Sequence, residues 1–161
     1  MSTKFTTRKS WREKMQNGQQ PKIVQLPPEA WDKMGGATML VSTPCDVEAM
    51  IRTVPKGKLI TSAQLRKKLA HAAGAECACP TSTGIFVRIA AEAAEEDRAE
   101  GKSRITPYWR VLKTDGSLNE KLPGGVEAQA SNLKAEGHSI ELARGKKPPK
   151  VKDFEKKLIK D

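Results

Sequence analysis

Apolar residues fall in short clusters along this chain, and their spacing switches between extended and helical periods. Met39-Leu40-Val41 reads as a brief extended run, which Thr43-Pro44 closes. Asp46 is then placed to cap a helix running through Val54, with Met50, Ile51 and Val54 as its apolar stripe. Pro55-Lys56-Gly57-Lys58 breaks that helix with a basic turn. Thr61 or Ser62 caps a second helix of about nine residues, whose Leu65 and Leu69 share a face. After a loop through Gly74 and Cys79, Pro80-Thr81-Ser82 opens the longest helix, over 82–98. Ile85, Phe86, Ile89, Ala90 and Ala93 form its buried stripe, and Gly101 stops it.

The segment from Tyr108 to Leu118 carries Asp115-Gly116 at its centre, a strong hairpin signal because both residues tolerate positive φ. A last helix over 125–136 turns Val126, Ala130 and Leu133 inward and ends at Gly137. Helix, basic helix, turn, longer helix and hairpin make a mainly α chain with a small β-hairpin wing, a winged helix-turn-helix. The organisation expected is a basic, largely flexible arm over 1–38, the winged-helix domain over 39–143, and a Lys-rich tail over 144–161. In the arm, Trp11 and Trp31 are candidates either to pin it to the domain or to stack on bases. A short helix around Phe154 is expected within the tail.

Charge sharpens this picture. Lys and Arg total 29 against 19 for Asp and Glu, a formal net charge of +10, which favours polyanionic partners. The excess lies at the ends: net +4 over residues 1–38, +1 over 39–143 and +5 over 144–161. The middle is polarised as well. Arg52, Lys56, Lys58, Arg66, Lys67 and Lys68 lie in a stretch without acids, whereas Glu92, Glu95, Glu96, Asp97 and Glu100 crowd together. A phosphate backbone is drawn to the first group and repelled by the second, unless both are ordinary solvated helix faces.

Three cysteines, Cys45, Cys77 and Cys79, exclude an even disulfide framework. With no secretory segment and no apolar run near the roughly 20 residues that span a bilayer, the expectation is a cytoplasmic protein without a membrane partner. Cys77-Ala78-Cys79, even with Cys45 and His71, lacks zinc-ligand spacing, so neither metal nor cofactor is expected. His138 follows Gly137 in a turn and has no visible partner. Cys79 precedes Pro80 at a helix start, where the dipole lowers a thiol's pKa, and it is the best candidate for a reactive thiol.

Val54-Pro55-Lys56-Gly57-Lys58, Pro107-Tyr108-Trp109-Arg110-Val111, Asp115-Gly116-Ser117-Leu118 and Gly124-Gly125 follow one another in the order seen in the DNA-binding domain of alkylguanine-DNA alkyltransferases. Over about residues 40–140 the chain resembles that family. The family's Pro-Cys-His-Arg-Val segment carries the alkyl-accepting cysteine. Here Tyr108 stands at the cysteine and Trp109 at the histidine, and neither a phenol near pKa 10 nor an indole replaces a thiolate. An aromatic at that position is similar to the alkyltransferase-like proteins, which bind and flip alkylated guanine and flag it for excision repair. The resemblance implies a non-catalytic, monomeric protein that binds double-stranded DNA, alkylated DNA included, with repair proteins as further partners. If it binds DNA, it would be nucleoid-associated. It implies a lesion pocket of Pro107, Tyr108, Trp109, Gly124 and Gly125. It also implies a DNA-binding set of Lys56, Lys58, Ser62, Gln64, Arg66, Lys67, Thr81, Ser82, Thr83, Arg88 and Arg110.

The chain departs from the family at other positions. Ser62 takes the place of a Tyr, Thr81 that of an Arg that enters the duplex, and Pro123 that of a Ser. These changes weaken the familiar flipping route more than they weaken backbone binding. Two alternatives stand beside the first reading. One is a winged-helix module that has lost the pocket and binds protein, RNA or undamaged DNA. The other is a thiol-dependent enzyme working through Cys79.

Overall fold

The computed structural model describes residues 10–16, 18–142 and 145–160. Three helices enclose the main core: α3 (Pro44–Arg52), α4 (Ser62–Ala73) and α5 (Pro80–Ala99). Thr43 caps α3 by accepting from the Asp46 amide at 3.2 Å, three residues before the cap expected at Asp46, because Pro44 suits the first helical position. Thr61 caps α4 in a reciprocal box. Its hydroxyl accepts from Gln64 N at 3.2 Å, and the Gln64 side chain accepts from Thr61 N at 3.1 Å. Val47, Ile51, Val54, Leu65 and Leu69 pack there with Val87 and Ala91 from α5.

The α5 stripe differs from the one expected. Ile85 is 53% exposed, and the buried face runs through Thr83, Val87, Ala90, Ala91, Ala93 and Ala94. Two partners cause this. α5 packs against α3 on one side and against α1 (Trp11–Met15) on the other, and its alanines let both helices approach. Met15 and Trp11 sit against Ala90 and Ala93, so Trp11 pins the segment down. Trp31 stays exposed, with its indole N–H donating to the Leu26 carbonyl at 2.9 Å.

The 1–38 arm therefore needs correction from residue 10 onward, while residues 1–9 lie outside the described residues. β1 (Lys22–Gln25) pairs antiparallel with β2 (Thr38–Val41), setting Ile23 opposite Leu40. β2 in turn pairs in parallel with β4 (Cys77–Ala78). Arg12 binds Glu48 at 3.0 Å and Asp97 at 2.5 Å, and the Glu96 carboxylate accepts from the Trp11 and Arg12 amides. Two of the acids that crowd α5, Glu96 and Asp97, thus hold α1 instead of forming a phosphate-repelling or solvated face.

The hairpin wing is reduced to its turn: the Gly116 amide donates to the Lys113 carbonyl at 2.8 Å and the Lys113 amide to the Ser117 carbonyl at 3.0 Å, but no ladder follows. β3 (Ile60–Thr61) pairs in parallel with β5 (Val111–Leu112), and the chain beyond Ser117 pairs elsewhere. Gly116 alone of the turn pair has positive φ; Asp115 accepts from the Ser117 amide at 2.9 Å and the Ser117 hydroxyl at 2.5 Å. The Leu118 amide donates to Pro149 and the Val151 amide to Gly116, so the supposed tail supplies the second limb's partner. That tail, over 145–160, is part of the fold. β7 (Lys150–Val151) pairs with β6 (Ile140–Glu141), and Val151 and Phe154 enter a second core with Leu59, Leu112, Leu118 and Leu133. Leu133 comes from α6 (Gly125–Ala135), which has the expected extent to within a residue. Among the described residues no helix is long and apolar enough to cross a membrane.

His138 is buried beside this second core with its Nε2 unpartnered. Burial holds its pKa below 6.5, opposed by Glu136 and reinforced by Lys157 and Arg110. The unfolded chain therefore takes up a proton that the folded state resists. Stability is intact above pH 6.5 and falls as the pH drops through the depressed folded value. Denaturant midpoints taken from about pH 7.5 to about pH 5 are expected to decline in the parent and to decline less in His138→Gln. Equal declines would place the acid sensitivity elsewhere.

Candidate functional site

Tyr108 opens a single 3-10 turn, Tyr108–Arg110, wedged between α5 and α6. Thr106 and Pro107 before it are buried, and the Thr106 hydroxyl donates to Glu48 at 3.0 Å. The Tyr108 ring is 1% exposed, and its hydroxyl donates to Glu95 Oε1 at 2.6 Å. Burial pushes the phenol well above its usual range, and the Glu95 hydrogen bond adds to the shift. Glu95 Oε2 accepts from Arg98 at 3.1 Å. Together Glu95, Arg98, Tyr108, Pro123, Gly124, Ala128, Ser131 and Asn132 line a cleft of about 290 Å³. Gly124 has φ +77°, and a Cβ there would stand 2.5 Å from the Ala128 methyl, so only glycine keeps this wall close.

Of the expected pocket residues, Tyr108 and Gly124 meet in this cleft; Pro107, Trp109 and Gly125 do not line it. Trp109 meets Tyr108 edge-on at 5.3 Å but lines a neighbouring depression with Arg98, Lys102, Asn132 and Glu136. Its indole N–H donates to Glu136 at 3.1 Å. Arg110 turns inward as well. Its guanidinium grips Glu136 at 2.6–3.1 Å and donates to the Val54 carbonyl at 2.6 Å, which removes it from the DNA-binding set. Burial pushes the Glu136 carboxyl up, but hydrogen bonds from Arg110 and Trp109 outweigh it and hold the group below its usual range.

Gln129 went unnoticed in the sequence. Fully buried on α6, its amide donates to the Trp109 and Val111 carbonyls at 3.1 and 2.9 Å and accepts from Asn119 N at 2.8 Å. It fixes the Tyr108 turn and the loop after Gly116 to one helix. A polar residue within the apolar face of Val126, Ala130 and Leu133 was the available signal.

The second region lies where α4 and α5 begin. A narrower cleft of about 200 Å³ runs between them, lined by Ser62, Arg66, Pro80, Gly84, Lys113 and Asn119 among others. Ser62 and Thr114 hydroxyls meet at 3.2 Å, tying the turn after β5 to α4. Thr81 and Arg88 are exposed on α5 and Ser82 is half-buried, while Lys56 and Lys58 are exposed in the loop before β3. Three of the expected DNA contacts are occupied otherwise. Gln64 completes the Thr61 box and donates to Ile159 at 3.0 Å; buried Thr83 donates to the Cys79 carbonyl at 2.7 Å; Arg110 is described above. Lys67 lies apart from Arg66 and lines a groove with Met50, Lys68, His71 and Glu76.

Cys79 caps α5, its sulfur accepting from the Ser82 amide at 3.5 Å. Burial raises the thiol, yet hydrogen bonds from Ser82 and the Thr81 backbone leave it below the ordinary value. Among the described residues no group of three or more His, Cys, Asp or Glu is arranged to hold a metal ion.

No family model matches the chain, and no curated protein matches it. Among solved structures it is similar to the S. pombe ATL in complex with DNA, at 17% identity and a TM-score of 0.51, covering 73% of this chain and 94% of that one. It is also similar to S. pombe Atl1 in complex with damaged DNA containing O6-carboxymethylguanine, at 16% identity, a TM-score of 0.48 and the same coverage. The likeness is one of fold.

Proposed function

We propose that this protein binds double-stranded DNA as a non-catalytic, alkyltransferase-like recognition protein, holding an extruded alkylated guanine in the Tyr108–Gly124 cleft. What carries this reading is Tyr108, buried at the floor of a cleft walled by a glycine, in a fold shared with a protein solved on DNA. No thiol stands at position 108, and a phenol with raised pKa that donates to Glu95 is not a nucleophile. About 290 Å³ is at the small end of ligand pockets, ~300–1,000 Å³, which suits one base rather than a whole nucleotide. Glu95 rejects phosphate and accepts from the amino groups of a base, with Arg98, Ser131 and Asn132 at the rim. Ser62, Arg66, Thr81, Ser82, Arg88 and Lys113 would hold the backbone nearby.

The test is titration of labelled duplexes, one containing guanine alkylated on its major-groove oxygen and one unmodified, at two salt concentrations. A preference of about tenfold, ~1.4 kcal/mol, is expected for the modified duplex. Ser131→Leu, which fills the cleft mouth from α6, is expected to bring the modified duplex down to the unmodified level. Equal, steeply salt-dependent affinities in the parent would instead favour an interaction module without a pocket.

A further inference from the structure

The C-terminal segment carries a surface that the cleft does not explain. Over residues 145–160 there are seven lysines against Asp153 and Glu155. Such a sequence would ordinarily trail in solvent, since its charges repel one another. Here it is stitched down. Leu59 donates to the Lys157 carbonyl at 2.9 Å and accepts from the Ile159 amide at 2.9 Å, so that Leu59 and Leu158 form a parallel bridge. The Gln64 amide reaches the Ile159 carbonyl at 3.0 Å, which fastens the seam to the first turn of α4.

This seam brings two basic segments, about a hundred residues apart in sequence, side by side. Lys56 and Lys58 precede Leu59, while Lys156, Lys157 and Lys160 flank Leu158. All five are exposed, and among the described residues none of them makes an ion pair. Glu136, whose carboxylate lies against the Gly57 amide of this loop, is committed to Arg110. The same first turn of α4 carries Ser62, which lines the cleft at the start of α5. A rod of phosphates lying across that cleft would therefore continue onto the seam.

We propose that the Lys56–Lys58 loop and the docked Lys156–Lys160 segment form a second, sequence-independent contact to the phosphodiester backbone of the DNA, continuing from the α4–α5 cleft. The inference rests on the DNA-binding reading above. A lipid surface fits less well, because Leu158 and Ile159 pack inward and leave no apolar face to insert.

The experiment compares full-length parent, K156A/K157A/K160A, K156R/K157R/K160R and Arg66→Ala on an unmodified duplex across a salt series. Each lost phosphate contact is expected to shallow the log–log salt slope by about 0.9, so the triple Ala variant should lose about 2 to 3. The triple Arg variant should keep the parent slope, and the Ala variant should keep the parent's ratio between modified and unmodified duplex. If the triple Ala slope equals the parent's while Arg66→Ala is shallower, the second contact is overturned and the α4–α5 interface stands. If the parent binds no duplex, the DNA reading fails and the second contact falls with it; if the parent binds but Arg66→Ala and the triple Ala variant both leave its slope unchanged, the backbone is held elsewhere and the second contact is overturned.

Discussion

Arg110→Ala is expected to destabilise the fold by about 3–5 kcal/mol while leaving the salt slope of DNA binding unchanged in the folded protein. The Arg110 and Glu136 side chains are only 12% and 7% exposed. Removing the guanidinium would strand a buried carboxylate whose one remaining side-chain donor is the Trp109 indole. It would also leave the Val54 carbonyl without its 2.6 Å partner. With Arg110 absent, only the Trp109 and Gly57 hydrogen bonds would oppose burial, so the Glu136 pKa would rise from its lowered position. The sign follows. The parent's pair contributes stability above the unfolded value of 4.5 and loses it as pH falls, so the variant's deficit is largest near neutrality and narrows towards acid. Urea denaturation of parent and variant at several pH values would read this directly. Arg110→Met combined with Glu136→Leu should recover most of the loss, because two apolar groups bury no charge. A stable Arg110→Ala protein with a shallower salt slope would return Arg110 to the DNA surface.

Arg110 also illustrates what the sequence conceals. Position within the Pro107–Val111 string singled out the segment, but the direction of the side chain depends on Glu136, 26 residues away and on another helix. Gln64 and Thr83 mislead for the same reason: hydroxyls and amides near a helix start read as phosphate ligands until a cap or a carbonyl occupies them. Local signals fared better. Thr61 as the cap of α4, Pro80 at the start of α5 and the Gly137 stop each act within a turn of their own position. The ends of the chain were the least legible part. Their charge density outweighed a few apolar residues, Trp11 and Met15 at one end and Val151 and Phe154 at the other, whose partners lie in distant segments. Only pairing with those partners distinguishes a stitched segment from a solvated tail.

The acidic half of α5 gains a role from the same comparison. Glu95 receives the Tyr108 hydroxyl, Glu96 the first amides of α1, and Asp97 is bound by both Arg12 and Lys102. One helix thus presents hydroxyls and Arg88 at its beginning and structural carboxylates at its end.

Gly116→Ala is expected to unseat the C-terminal segment, at a cost on the order of 3–5 kcal/mol, comparable to losing a buried aromatic ring. Gly116 has φ +85°, and a Cβ built there would lie 2.3 Å from Phe154 Cδ1. The obstacle is a ring fixed among Leu59, Leu112, Leu118, Leu133 and Val151, so it has little room to yield. Phe154→Ala should cost a similar amount through the cavity it leaves. In the double variant the clash disappears, so the added cost over Phe154→Ala falls to the strain of alanine at positive φ, about 1–2 kcal/mol. That shortfall from additivity is the signature of direct contact between the two positions. A Gly116→Ala protein as stable as the parent would mean the ring does not sit over the turn. The functional consequence separates stability from binding. An unseated segment carries Lys156, Lys157 and Lys160 away from Lys58, so Gly116→Ala protein that remains folded should show the shallower salt slope of the triple Ala variant, with every lysine still present.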